Sequence, residues 1–453
     1  MKARVTDRPT RRRFLKKTAQ TAAAVFGVPH LVPGSVFGAH APSGRINLGF
    51  IGAGNQSRVD VPAFLRHDDV QVVAVCDVNT GSHGYSHPKH YLGREPVRKQ
   101  VEAYYAAKAG LGKYRGCDAY NDFRQLLARD DVDAVAIVTP DHWHAAMTVM
   151  AAKAGKDIYC QKPMTLTIAD GQEMIKAVRQ YKRVFQTGSQ YRSKRFVRFG
   201  CELVRNGRIG RLKKITTLVA KNNMVGPGPG WKPMPVPEGF GYDMWLGPAR
   251  EVPYHKDRCL YRFRFIRDYS GGQTTNFGAH SNDIAQWGCG TDDTGPVEIE
   301  DLGAEWPPRG SLFNTATRVH FRARYANGVE LTCLTKAPWM GTRFEGTQGW
   351  IDCGWKKLTT HPKSLKKSKI APGELHLPRS SDHYRNFLDS VKSREDPISP
   401  VEIGHRTASL CHLGNIAMLL GRKVQWDPDR EQFVNDDEAN RMVSRPMRPP
   451  WHL

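Results

Sequence analysis

Residues Ile46 to Ser57 read INLGFIGAGNQS. A short, mainly apolar, strand-like run of six residues leads straight into Gly52-Ala53-Gly54-Asn55-Gln56-Ser57. A helix-like stretch, RVDVPAFLRHDD, comes next. A second apolar run, VQVVAVCD, ends on Asp77. This is strand, glycine turn, helix, strand, acid. Gly52 permits a tight turn, and Gly54 lets a phosphate approach the backbone. The N–H groups and partial positive charge of the helix N-terminus, beside Asn55 and Gln56, favour an anion there. Ser57 stands where the third glycine of G-x-G-x-x-G is usual, a small change at a packing position.

Asp77 lies 25 residues after Gly52. A carboxylate at that place accepts hydrogen bonds from an adenosine ribose and repels a 2′-phosphate. The unit therefore predicts a bound dinucleotide, with NAD favoured over NADP. The pattern continues with a strand, DVDAVAIVTP, a helix, DHWHAAMTVMAAKAGK, and another strand, DIYCQKP. Alternation of this kind predicts a doubly wound parallel sheet of the Rossmann type, with ligands beyond the carboxyl ends of its strands. Thr139, Pro140, Gln161 and Lys162 fall at those ends. His144, in the first turn of the intervening helix, is a further candidate to face the cofactor. The domain is expected over residues 44–163. An insertion at about 79–115, rich in Gly, His and Lys with a helix near 96–108, is assigned no chemistry.

Beyond Pro163 the pattern changes. Helical stretches (IADGQEMIKAVRQYK, SKRFVRFGCELVRNGRIG) give way to strands (LKKITTLVA, ATRVHFRARY, VELTCLTK, TRFEGTQGWIDCG). Asn327-Gly328 between alternating runs signals a hairpin. Residues 164–425 are thus expected to form a second, α+β domain with a largely antiparallel open sheet, and 426–453 a C-terminal tail. Gln190, Tyr191 and Arg192 close a predicted strand and could reach a substrate. Residues 225–242, rich in Gly and Pro, predict a loop over the cleft. Trp231 and Trp245 are candidate stacking platforms, and Arg262 or Arg264 a candidate hold on a hydroxyl or acid.

The N-terminus reads as an address. Arg11-Arg12 with Phe14, Leu15 and Lys16 has the spacing of a twin-arginine (Tat) signal. Small and apolar residues follow, and cleavage after Gly38 fits best. Tat substrates cross the membrane folded, so the chain is expected in the periplasm or otherwise outside the cytoplasm, with the export machinery as a partner. The net charge of the 453-residue chain is +23. Met1 to Gly38 holds eight Lys and Arg and one Asp, so its removal lowers the excess by seven, to +16. No nucleic-acid motif accompanies this charge, which reads as general surface charge or an anionic substrate. Nine scattered cysteines with no C-x-x-C predict buried thiols and no metal site.

GFIGAGNQS, VTPDHWH, KDIYCQKP and GGQTTNFGAHSNDIAQW together resemble the Gfo/Idh/MocA family, which includes glucose–fructose oxidoreductase and inositol dehydrogenase. The resemblance covers nearly the whole chain after the signal. It implies that Lys162 sits between nicotinamide and substrate and stabilises a developing alkoxide. It implies a cis peptide before Pro163, a general base at His280, and a homo-oligomer formed through the open sheet face. Two departures stand out. The family's E-K-P is Gln161-Lys162-Pro163, which removes a counter-charge beside the lysine. The aspartate that supports the histidine is Asn276 here, in what reads as one helix with His280 and Asp283 on a shared face.

An exported dehydrogenase meets no pool of free nicotinamide. The cofactor should bind tightly, travel with the folded chain and be restored by the reaction itself. The leading expectation is an NAD-dependent oxidoreductase acting on a sugar or cyclitol hydroxyl. The alternative is an NAD-dependent glycosidase using transient oxidation and elimination, and a third is a sugar-binding protein without catalysis.

Overall fold

The computed structural model describes residues 44–221, 226–336 and 340–453. The expected signal, 1–38, and the first residue of the 225–242 loop lie outside these. Strands β1 (Ile46–Ile51), β2 (Val70–Cys76), β3 (Asp118–Tyr120), β4 (Ala134–Ile137), β5 (Asp157–Cys160) and β6 (Phe185–Thr187) form one parallel sheet in the order β3-β2-β1-β4-β5-β6. β1, β4 and β5 are buried along almost their whole length. That explains their mainly apolar runs, since helices cover both faces of a parallel sheet. The strand order reverses between β1 and β4. The glycine turn after β1 and the Thr139-Pro140 turn after β4 flank that crevice, where open α/β sheets bind ligands.

The second sheet has nine strands. β7 (Leu212–Val219), β8 (Glu298–Asp301), β9 (His320–Arg324), β10 (Glu330–Thr335), β11 (Met340–Gly346), β12 (Trp350–Gly354) and β13 (Leu358–His361) are joined by β14 (Val424–Asp427) and β15 (Gln432–Phe433). The order is β13-β12-β11-β7-β10-β9-β8-β14-β15. All pairs are antiparallel except β7 with β10. Asn327-Gly328 turns β9 into β10, with Gly328 at φ +81°. Helices Gly278–Cys289 and Val401–Leu420 cover this sheet, and Ile284, Trp287, Leu410 and Leu413 share a core with Phe321, Leu331 and Phe344.

Two late segments return to the first sheet. Tyr384, Phe387 and Leu388 of the helix His383–Ser393 pack into its core beside Phe64 and Tyr159. Trp451 packs against Trp143, with ring centroids 4.7 Å apart. Gln190 to Ser193 form a 3-10 turn after β6 rather than the end of a strand. The nine cysteines are unpaired and eight are buried.

Candidate active site

Gly52 adopts φ +102°, and a Cβ there would fall 2.5 Å from the Val138 carbonyl oxygen. Only glycine lets β1 and β4 end this close together. Ser57 supplies what a third glycine would not: its hydroxyl donates to the Gly54 carbonyl at 2.6 Å and ties off the turn. Asp77, at the end of β2, accepts from the Ala53 amide at 2.6 Å and the Asn79 amide at 2.7 Å. Burial raises its pKa, while the two amide donors favour the carboxylate. The acid thus braces the glycine turn as well as facing the crevice.

These residues open on a cleft with about 1040 Å³ of empty space. Gly52, Gly54, Asn55, Gln56, Asp77, Thr139, Pro140, Gln161 and Lys162 line it. A glycine cradle at a helix N-terminus, with a carboxylate at the end of the next strand, fits a dinucleotide. His144 is placed differently. It is buried, and its ring nitrogens meet the carbonyls of Pro163 at 2.8 Å and Thr139 at 2.9 Å. It fastens two cleft turns to each other and does not line the cleft.

Tyr85 roofs the glycine turn. Its ring lies 3.2 Å from where a Gly54 Cβ would stand, and its hydroxyl accepts from Asn79 Nδ2 at 3.0 Å. Ser86 donates to Asn55, and the Thr80 amide donates to the Gly239 carbonyl at 2.9 Å. The insertion therefore folds across the cleft and is pinned to the chain beyond Pro237. Nothing local marks Tyr85, because its place over the cleft depends on Gly54, 31 positions earlier.

Lys162 stands at the inner end of the cleft, before a cis peptide to Pro163. Its Nζ donates to the Asn276 carbonyl at 2.8 Å and to Asn276 Oδ1 at 2.9 Å. An ammonium has three N–H groups, so one is left for a further oxygen. Burial, reinforced by the Arg264 guanidinium, pushes its pKa down to about 7 against the pull of Asp141 and Asp60. Asp141 and Arg264 also line the cleft. Asp141, which the sequence reading passed over, begins the helix Asp141–Lys153. Its Oδ2 is buried without a hydrogen-bond partner, and burial raises its pKa.

His280 is buried beside Tyr191, with ring centroids 5.3 Å apart. Burial, and then the nearby Lys162, hold its pKa well below the usual value, so the ring is neutral at physiological pH. Its Nδ1 has no partner among the described residues. Asn276 does not orient it. The expected single helix is two, Gln273–Asn276 and Gly278–Cys289, parted at Phe277. The amide of Asn276 donates to Gln273 at 3.0 Å and accepts from Lys162. Asn276→Asp should therefore stabilise the ammonium of Lys162 and raise its pKa above 7. A pH titration of lysine reactivity in that variant checks this.

Three expected substrate contacts lie elsewhere. Arg192 is 1% exposed and spends its guanidinium on Asp283 at 2.8 Å and Asp292 at 2.7 Å, under Trp287. Gln190 donates to the Tyr159 hydroxyl at 3.1 Å. Arg262 pairs with Asp257, while its neighbour Arg264 takes the place in the cleft. Trp245 does line the cleft, but it is only 5% exposed and packs edge-on against Tyr269.

Comparison with known proteins agrees with this architecture. Residues 46–189 match the model of the "Oxidoreductase family, NAD-binding Rossmann fold", and residues 202–453 match the "Oxidoreductase family, C-terminal alpha/beta domain". A glycosyl hydrolase family 109 protein of Shewanella pealeana is 29% identical over 182 residues, 36% of each chain. The chain's alignments span only 26–36% of the first curated relatives. Among solved structures, the aldose-aldose oxidoreductase of Caulobacter crescentus superposes with a TM-score of 0.58 at 18% identity, covering 84% of this chain and 99% of that one. The WlbA dehydrogenase of Bordetella pertussis, solved with NADH and UDP-GlcNAcA, gives 0.57 at 16% identity, covering 84% and 99%. With both domains matched over nearly all of its length from Ile46 on, the chain belongs to the Gfo/Idh/MocA oxidoreductase family and carries that family's NAD-binding domain.

Proposed function

We propose that the protein oxidises a hydroxyl-bearing carbon of a sugar, sugar derivative or cyclitol, or reduces the corresponding carbonyl, with an NAD that it retains between turnovers. The observation that carries this reading is Lys162. Two of its N–H groups are fixed on Asn276 at the inner end of the dinucleotide cleft, and one is left for an oxygen of the substrate. NAD supplies the hydride acceptor. Lys162 holds the substrate oxygen and offsets negative charge as it develops there. His280, kept neutral by burial, is ready to take the hydroxyl proton. Asp77 favours NAD over NADP, so Asp77→Ala should bring the affinities of the two closer, as a direct titration of each would register.

Retention is supported by the roof over the cleft. Removing the Tyr85 ring opens the glycine turn to solvent. Full burial of an aromatic contributes on the order of 1.5–3 kcal/mol; Tyr85 is half-buried, so Tyr85→Ala should speed NAD dissociation by roughly 10-fold. Stopped-flow exchange against a fluorescent dinucleotide measures it; an unchanged rate would remove Tyr85 from this role.

A retained cofactor must be restored by the reaction, through a second sugar or within one substrate. The likeness to a glycosyl hydrolase family 109 protein favours a second reading, transient oxidation that assists glycosidic cleavage. Product analysis on a glycan panel separates the two. A keto sugar paired with a reduced acceptor supports oxidoreduction, and a free reducing sugar with no net redox change supports hydrolysis.

Export by the Tat route follows from Arg11-Arg12 and the residues behind them. Replacing both arginines with lysine should leave the protein in the cytoplasm, as fractionation and immunoblotting would report. Assembly through the open face of the second sheet is part of the same proposal, and light scattering of the purified protein tests it.

A further inference from the structure

Asp60 lies within the helix Ser57–Leu65 that follows the glycine turn, and it is 0% exposed. A carboxylate buried this deeply is costly unless its oxygens are satisfied. Three donors converge on it. Gln161 Nε2 reaches Oδ2 at 2.7 Å, and the Tyr384 hydroxyl and Gln56 Nε2 reach Oδ1 at 2.8 Å and 3.1 Å. Gln161 Oε1 in turn accepts the backbone N–H of Lys162 at 3.2 Å. The amide cannot turn over, because that would set its NH₂ against an N–H and its oxygen against a carboxylate. Gly188 presses on it as well: a Cβ there would fall 2.7 Å from Gln161 Oε1.

Gln161, the residue before Lys162, carries no charge. The negative charge stands on the neighbouring helix, one hydrogen bond from the amide. We propose that Asp60 is a positioning residue for Lys162: its buried carboxylate, acting through the Gln161 amide, fixes the backbone of the reacting lysine and adds to Asp141 as counter-charge beside it. This rests on the proposed role of Lys162.

The arrangement makes a distinctive demand. With Asp60→Asn, the amide oxygen can serve two of the three donors, Tyr384 and Gln56, and its NH₂ then faces the NH₂ of Gln161. With Gln161→Glu, two carboxyl groups 2.7 Å apart must share a proton. With both changes the polarity is satisfied again. The amide oxygen introduced on the helix accepts from Tyr384 and Gln56, and its NH₂ donates to the carboxylate introduced before Lys162. That carboxylate accepts the Lys162 N–H in turn. The groups facing Asp60 are Gln56 on its own helix, Gln161 and Lys162 from the turn after β5, Tyr159 from β5 and Tyr384 from the helix His383–Ser393.

The test is competitive acetylation of the NAD-bound protein with acetic anhydride across pH, with the Lys162 peptide followed by mass spectrometry. Asp60→Asn should lower the Lys162 midpoint by a resolvable amount, up to about one pH unit, the lower end of the effect of losing an opposite charge. The double variant Asp60→Asn/Gln161→Glu should restore it. Tyr384→Phe, which removes one donor and keeps the carboxylate, should lower the midpoint in the same direction by less. That variant carries the test if Asp60→Asn does not fold. A midpoint unmoved in the folded single variants, or a double variant no closer to wild type than Asp60→Asn, would overturn the proposal. Lys162→Ala separates the two ideas: full turnover on a glycan panel in that variant would sink the role of Lys162 itself, whatever the acetylation shows.

Discussion

Lys162→Ala slows the chemical step at least roughly 10³-fold, the upper range for removing one preorganised donor to a developing oxyanion. The loss should fall on the rate constant of hydride transfer and not on NAD content. The glycine turn, Ser57 and Asp77 lie at other points of the cleft and make no hydrogen bond to Lys162 Nζ. The pH profile is part of the same expectation. With its pKa pushed down to about 7, Lys162 is an ammonium below that pH and an amine above it. A rate that needs the ammonium declines as pH rises through 7, and Asn276→Asp moves that decline upward. Single-turnover absorbance of the bound nicotinamide, recorded across pH in each variant, reads both effects.

His280→Ala costs roughly 10²–10⁴-fold, the usual contribution of a positioned general base. Its sign with pH is opposite in kind. A histidine must be neutral to take a proton, and burial keeps His280 neutral to well below its ordinary pKa. No acidic limb from this residue should therefore appear near neutrality. In the variant, a rate that recovers with added imidazole would mark the lost group as a proton acceptor. Near-wild-type turnover with substrate and NAD both bound would mean that another group, with Asp141 the nearest candidate, takes the proton.

The first domain was legible because its signals are local. β1 was expected over Ile46–Ile51 and occupies those residues, since an apolar run ending at a glycine turn has little freedom in where it stops. The doubly wound sheet and the hairpin at Asn327-Gly328 followed from periodicity and turn chemistry. What was not legible depends on residues far apart in the chain. Arg192 is withdrawn from the cleft by Asp283 and Asp292, about a hundred positions away. Arg262 and Arg264 sit on one 3-10 turn, and only its packing sends the second of them into the cleft. Asn276 appeared to share a helix face with His280 because no proline marks the break at Phe277. Tyr85 and Asp60 carry no motif at all. Each gains its place from partners that only the folded chain brings near.

A dehydrogenase site that keeps its own NAD must turn over without added nucleotide. The protein, folded in the cytoplasm, purified and exhaustively dialysed, would be given a glycan panel in buffer free of NAD and NADP. The account predicts many turnovers per chain, unchanged when NAD is supplied, and release of about one NAD per chain on denaturation. Turnover that stops on dialysis and returns only with added nucleotide would contradict it.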